Sequence, residues 1–296
     1  MKHIFFFIIL CIIIGCNNSS TLNINSDREK QSIEVSFPEQ VDASELTPKQ
    51  RTQLRKNLNV FYKGSKTEDW KRARQEILAL GPIGIESLCI FFVKFFYSGK
   101  GQITMAQDFD QGERVMQDAV HELASLKKAA VPYVIWAMSR SDIGSLGRLL
   151  CSQTLTKIGK DSVPLLIDNI GKGTNAFQRS VLETLGTIRD YDALEPMANF
   201  YFEQSKNINE NDELQFALRY ASIKAIANFR SEITLSIFES ALNDTNDLIF
   251  KLVVEEMLSY TDDEIVPLLQ KALPKAKTRL PGHYSKIQKR LQYFRT

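Results

Sequence analysis

Histidine and cysteine are scarce in this chain, and neither sign of charge is in marked excess. Each shortage removes a class of function. The histidines are His3, His121 and His283. His121 precedes Glu122, but no second histidine follows at helical spacing, so the zinc-protease helix is absent. The four cysteines are Cys11, Cys16, Cys89 and Cys151. The first two sit at the start of the chain, and the one pair that remains is no disulfide framework. Lys and Arg number 37 against 35 Asp and Glu, a balance that gives no electrostatic case for binding nucleic acid. No Gly-x-Ser-x-Gly nucleophile motif occurs. Gly171-Lys172-Gly173-Thr174 lacks the upstream glycine of a phosphate loop and follows a helical pattern, so it reads as a helix end. No catalytic, metal or cofactor constellation emerges. Beyond the leader, the longest apolar run is Leu88 to Phe96, interrupted by Lys94. It falls well short of the roughly 20 residues of a membrane span.

What is there begins at the first residues. Lys2 and His3 precede an apolar run from Ile4 to Ile14, which stops at Gly15-Cys16 and turns polar at once with Asn17-Asn18-Ser19-Ser20. The run is too short to span a bilayer, but it fits the central region of a secretory signal, which is typically about 7–15 residues. Ile13-Ile14-Gly15-Cys16 resembles a bacterial lipobox, with Ile13 where leucine is usual. The resemblance implies cleavage before Cys16, lipid on the Cys16 thiol and acylation of the new N-terminus. Two or more acyl chains hold a protein stably, so no transmembrane helix is needed. Residues 1–15 are therefore expected to be a lipoprotein signal peptide. Residues 16–46, polar and without helical or strand periodicity, are expected to be a flexible tether. The address that follows is the bacterial envelope, at the outer membrane or the periplasmic face.

The remainder, 47–296, repeats itself. Val181–Met197, Leu150–Leu166 and Asp118–Val134 share one phrase: a small or aliphatic residue, an apolar residue four on, another three on, a turn, then an apolar-Pro pair. The turn residues Gly81, Lys127, Gly159, Arg189, Arg230 and Thr261 serve as anchors. One place before them lie Leu80, Leu126, Ile158, Ile188, Phe229 and Tyr260. Four before lie Ile77, Leu123, Leu155, Leu185, Ile226 and Met257, and eight before lie Ala73, Ala119, Cys151, Val181, Ser222 and Val253. This spacing is the buried stripe of a helix. Pro132, Pro164 and Pro267 fall near the start of the second helix, where proline costs no hydrogen bond. The anchors are 46, 32, 30, 41 and 31 residues apart. The long gaps hold two insertions, Ser98–Gly112 and Glu203–Asp212.

From about Trp70 to Lys275 the pattern resembles the HEAT-repeat family, in the short bacterial form called phycobilisome-lyase-type. The first unit has Glu86 where proline is expected, and the fifth has Thr234 where an aliphatic residue is expected. The resemblance implies an all-α protein, an α-solenoid of about six antiparallel helix pairs. Each pair buries its apolar face only by stacking on its neighbours. Thr47–Tyr62, opening on Thr47-Pro48, is expected to cap one end, and His283–Phe294 the other. The paired His-Glu motifs of metal-binding HEAT hydroxylases are absent.

Arg148, Arg179, Arg219 and Lys251 recur ten or eleven places before their anchors. Such a row could bind an anionic partner; the resemblance to HEAT arrays implies instead that it pairs with acids at the repeat junctions, such as Asp142, Asp212 and Asp247. The second helices, which usually line the concave face of such arrays, carry a mixed set: Glu86, Lys94, Arg140, Asp168, Lys172, Glu195, Glu239 and Lys271. Two helices are crowded with aromatics, around Phe91–Tyr97 and Phe200–Phe202. A helix apolar on more than one side needs a second partner. Either the first insertion, with Ile103, Met105 and Phe109, folds over it, or it is a docking patch. Phe91, Phe95, Tyr97, Phe109, Phe200 and Phe202 are the candidate partner-binding residues. The expected function is a lipid-anchored scaffold that meets the membrane through Cys16 and binds another protein, with no nucleic acid. The alternative is an enzyme or enzyme accessory of the HEAT-repeat lyase type.

Overall fold

The computed structural model describes residues 46–61, 68–96, 109–206 and 212–294; the side chains of 95 and of 109–115 are not among them. The leader, Cys16, most of the 16–46 stretch and Tyr97 lie outside the described residues. The protein is all-α: among the described residues there are helices and turns and no strand.

The helices, in order, are α1 (Pro48–Phe61), α2 (Glu68–Leu78), α3 (Pro82–Val93), α4 (Phe109–Ser125), α5 (Val131–Ser139), α6 (Gly144–Ile158) and α7 (Val163–Ile167). They continue with α8 (Asn175–Ile188), α9 (Leu194–Ser205), α10 (Glu213–Ile226), α11 (Glu232–Ala241), α12 (Asp247–Ser259), α13 (Val266–Arg279) and α14 (Pro281–Tyr293). Sequence neighbours pack together, and so do alternate helices. The even-numbered helices contact one another in succession from α4 to α14, while α3, α5 and α7, and then α9, α11 and α13, form the corresponding runs on the other side.

The apolar stripe explains this packing. All six residues four places before the anchors are fully buried. The six residues eight places before are buried as well, with Ala73 the most exposed of them at 3%. Because these positions sit on one face of each helix, α2, α4, α6, α8, α10 and α12 each contribute side chains to the core. The result is one hydrophobic cluster that runs from Phe61 to Ile287.

The anchors end the helices by a shared backbone device. Gly81, Lys127, Gly159 and Arg189 all have positive φ, of 67°, 51°, 74° and 59°. A left-handed residue just past a helix redirects the chain and satisfies a last carbonyl, as Arg189 N–H does by donating to Leu185 O at 3.1 Å. Glycine takes this conformation freely; Lys127 and Arg189 take it at a cost. The starts of α1, α8, α10, α11 and α12 carry a polar side-chain cap. Thr174 Oγ1 accepts from Phe177 N at 3.3 Å, Ser231 Oγ from Thr234 N at 3.2 Å, and Asn246 Oδ1 from Leu248 N at 2.9 Å. Thr47 and Gln50 form a reciprocal capping box: Thr47 N donates to Gln50 Oε1 at 2.9 Å, and Gln50 N to Thr47 Oγ1 at 3.3 Å. Pro132, Pro164 and Pro267 sit in the first turn of α5, α7 and α13.

Several expectations are corrected here. Glu86, which stands where proline was expected, is buried inside α3, and that helix begins four residues earlier at Pro82. Thr234, in an aliphatic position, is fully buried, and its hydroxyl lies 3.5 Å from Ile226 O and 3.1 Å from Ser231 Oγ. Both insertions are shorter than expected. The α4 helix begins at Phe109, α9 runs on to Ser205, and Asp212 is the N-cap of α10.

Candidate functional site

Of the aromatic candidates, the side chains of Phe91, Phe200 and Phe202 are described, and these three face different surroundings. Phe91 is 7% exposed and faces inward. Its ring lies 5.3 Å from Phe92 and 5.7 Å from Phe61, whose ring is in turn 4.8 Å from Trp70 and 5.2 Å from Phe92. The second side of α3 is thus covered from α1 and α2, which leaves Phe91 almost no surface for a partner. Asn57 and Gln53 hold α1 to α2 by donating to Glu76 Oε2, each at 2.9 Å. Those two bonds, the asparagine's first, hold the Glu76 carboxyl below its usual range. Phe96 is buried, and its carbonyl closes on Gly147 of α6, where an added Cβ would sit 2.1 Å away. The side chains of Phe95, Tyr97 and Phe109 lie outside the described residues. Phe200 is half-buried against the Gly171 turn, and Phe202 is 37% exposed with its ring 5.5 Å from Tyr201. Two residues apart on one helix, they face different sides.

The cation column also separates. Arg219 is buried in a pair with Asp244, its Nε donating to Oδ2 at 3.0 Å, and both side chains are 2% exposed. Asp212, one of the acids expected to pair with this column, caps α10 instead. Arg148 donates to Arg140 O at 3.2 Å, while Asp142 pairs with Arg140 and Asp247 with Arg279. Arg179 and Lys251 make only loose intrahelical pairs, with Glu183 at 4.0 Å and Glu255 at 3.8 Å.

Those two helices frame a groove of about 680 Å³ that crosses α8, α10 and α12. It lies on α8, α10 and α12, whereas the expectation placed the binding face on the second helix of each repeat. Its lining follows the repeat register. Ten places before their anchors stand Arg179, Tyr220 and Lys251; six before stand Glu183, Lys224 and Glu255. A cation–tyrosine–cation row therefore lies beside an acid–lysine–acid row. Phe216 and Leu248 add apolar surface at one end, Leu248 at 57% exposure. The floor is low because α10 carries Ala217, Ala221 and Ala225 at four-residue spacing. At Gly186 the α8 backbone comes so close to α10 that an added Cβ would lie 2.7 Å from Ala225 Cα. Glu256, beside the groove, is pushed up by burial, with Lys224 and Arg230 pulling the other way. Leu248 and Tyr220 could have been found in the sequence as apolar residues off the buried stripe. Two members of the cation column, Arg179 and Lys251, point to the same strip.

The buried thiols suit no chemistry in the groove. Cys89 and Cys151 are both unpaired and buried; burial pushes Cys89 up to about 12 and Cys151 higher still. Among the described residues no cluster of three metal-ligating side chains occurs, and no helix is long and apolar enough to cross a membrane. Protein-family models, curated proteins and solved structures were all compared with the chain, and none matches it.

Proposed function

We propose that the chain is a lipid-anchored scaffold of the bacterial envelope that holds a protein partner in the groove across α8, α10 and α12. The architecture proposed with it is an α-solenoid of six antiparallel helix pairs, from α2/α3 to α12/α13, with α1 and α14 as caps. The alternating helix contacts and the single continuous core support that arrangement. Cys16 carries the anchor, and the polar residues that follow it link the anchor to the helices.

The groove carries the functional part of the reading. It joins exposed apolar side chains, Leu248 and the half-buried Phe216 and Tyr220, to a rim of both charge signs. Aromatic and aliphatic anchors supply most of the affinity of a protein contact, and ordered charges fix its register. An amphipathic segment laid across the three helices would meet both.

Two substitutions test the two halves separately. In cells labelled with palmitate the wild-type protein takes up the label and Cys16→Ala does not. Equal labelling of both proteins, or none of the wild type, would refute the anchor. In crosslinking pull-downs from intact cells, Tyr220→Ala with Leu248→Ala lowers recovery of the bound partner by about 10- to 100-fold. Phe202→Ala leaves it unchanged. Full recovery with the groove variant would refute the binding site.

A further inference from the structure

The charge balance of the chain hides an uneven distribution. From Val266 to Thr296 there are eight Lys and Arg and no Asp or Glu. The rest of the chain therefore holds 29 basic against all 35 acidic residues. The acid-free stretch forms α13 and α14.

Part of this charge has internal work. Lys271 pairs with Glu239, Arg279 with Asp247 at 2.7 Å, and His283 Nε2 lies 3.2 Å from Glu255 Oε1. Lys275 reaches Asn243 Oδ1 at 2.7 Å, and Arg290 donates to Tyr260 O. Lys277, Lys286 and Lys289 have no hydrogen-bond or ion-pair partner among the described residues, and all three are exposed. The last turn of α13 explains Lys277, since cations complement a helix C-terminus. It does not explain Lys286 and Lys289 in the middle of α14. With Tyr293, which is 65% exposed, they fall on one helical face at spacings of three and four. The other face carries the buried Ile287 and the half-buried Tyr284, Leu291 and Phe294 towards the core.

We propose that the exposed face of α14, with Lys277 beside it, docks on an anionic phospholipid surface. Lysines with an adjacent exposed tyrosine suit a bilayer interface, where the ring sits among headgroups and each ammonium meets lipid phosphate. A flat bilayer touches only this end of the molecule. A nucleic acid long enough to bind tightly would run on past the net acidic remainder, and three free cations give it few phosphate contacts. This surface acts independently of Cys16, so the two readings stand or fall apart.

The test uses the full chain with Cys16→Ala, which removes any attached lipid. Its sedimentation is measured with vesicles of phosphatidylcholine alone and of phosphatidylcholine with phosphatidylglycerol. The apolar leader contributes to both, so the difference between the vesicles reports the cationic face. The protein is expected to prefer the anionic vesicles, and added salt is expected to weaken that preference. Replacing Lys277, Lys286 and Lys289 by Gln is expected to remove it, at roughly five-fold per cation or about a hundred-fold for the three. The same lysines changed to Arg retain it. The three side chains make no internal contact, so the Gln variant keeps its circular dichroism spectrum. Equal binding of wild type and the Gln variant to anionic vesicles would overturn the proposal. So would equal binding of wild type to both vesicles, or tighter binding to a single-stranded oligonucleotide that the Gln variant loses.

Discussion

Replacing Asp244 by Ala is expected to be among the most damaging changes in the molecule. Asp244 lies in the connection between α11 and α12, and three contacts converge on its carboxylate. Arg219 Nε donates at 3.0 Å, Arg219 Nη2 at 3.4 Å and Asn246 N at 2.9 Å. Arg219 has nowhere else to place its charge, because its side chain is 2% exposed and its Nη1 already lacks a partner. Removing one member of a buried pair strands the other, at a cost of about 3–5 kcal/mol. Losing the bond to Asn246 adds about 1 kcal/mol. Arg219→Met is expected to cost a similar 3–5 kcal/mol, since Asp244 would keep only the Asn246 bond. The double variant Arg219→Met with Asp244→Asn removes both charges and leaves an oxygen for Asn246 N. It is expected to lie within about 2 kcal/mol of wild type. Urea unfolding of wild type, Arg219→Met, Asp244→Asn and the double variant, with midpoints and slopes fitted together, closes the cycle, and Asp244→Ala is measured beside them. If Asp244→Ala costs less than about 1 kcal/mol, or if the double variant loses the sum of the singles, the reasoning fails.

Four further substitutions test other parts of the structure. Lys127→Gly relieves a left-handed residue and should gain about 0.5–1 kcal/mol. Gly159→Ala, at a site with nothing within 4 Å of a new Cβ, should lose about 1–2 kcal/mol by backbone strain alone, and thermal unfolding of both reads the contrast. Phe61→Ala empties the ring position between Trp70, Phe91 and Phe92 and should cost about 3–5 kcal/mol, with hydrogen exchange rising in α1 and the later helices unaffected. The Tyr133 hydroxyl is pushed up to about 12 from an ordinary value near 10, first by burial and then by Glu86. A raised folded value means stability that is intact below the unfolded value and lost as pH rises towards the folded one. Stability should therefore fall between about pH 10 and 12, and Tyr133→Phe should flatten that fall.

The core was legible because it is local. Ile77, Leu123, Leu155, Leu185, Ile226 and Met257 stand at a fixed distance from a turn residue, and a helix converts that distance into a face. The turn residues were legible for a related reason, since four of the six have a positive φ. What required long-range information was not legible. Nothing in Phe91 or Phe92 says that Phe61, some thirty residues earlier, will cover them. Asp212 and Asp244 look equally suited to Arg219. Only the path of the α11–α12 connection brings Asp244 into reach, while the start of α10 uses Asp212 as a cap. The groove needs three helices side by side, so its rows of Arg179, Tyr220, Lys251 and Glu183, Lys224, Glu255 exist only after stacking.

Site-specific photocrosslinking in intact cells tests the docking groove most directly. A crosslinking residue is placed at Tyr220, at Leu248 and at Glu183, and for comparison at Glu195 and Phe202 on α9. The account predicts an adduct of one common mass from all three groove positions and none from the two on α9. Adducts from the α9 positions with none from the groove, or equal adducts from all five, would contradict it.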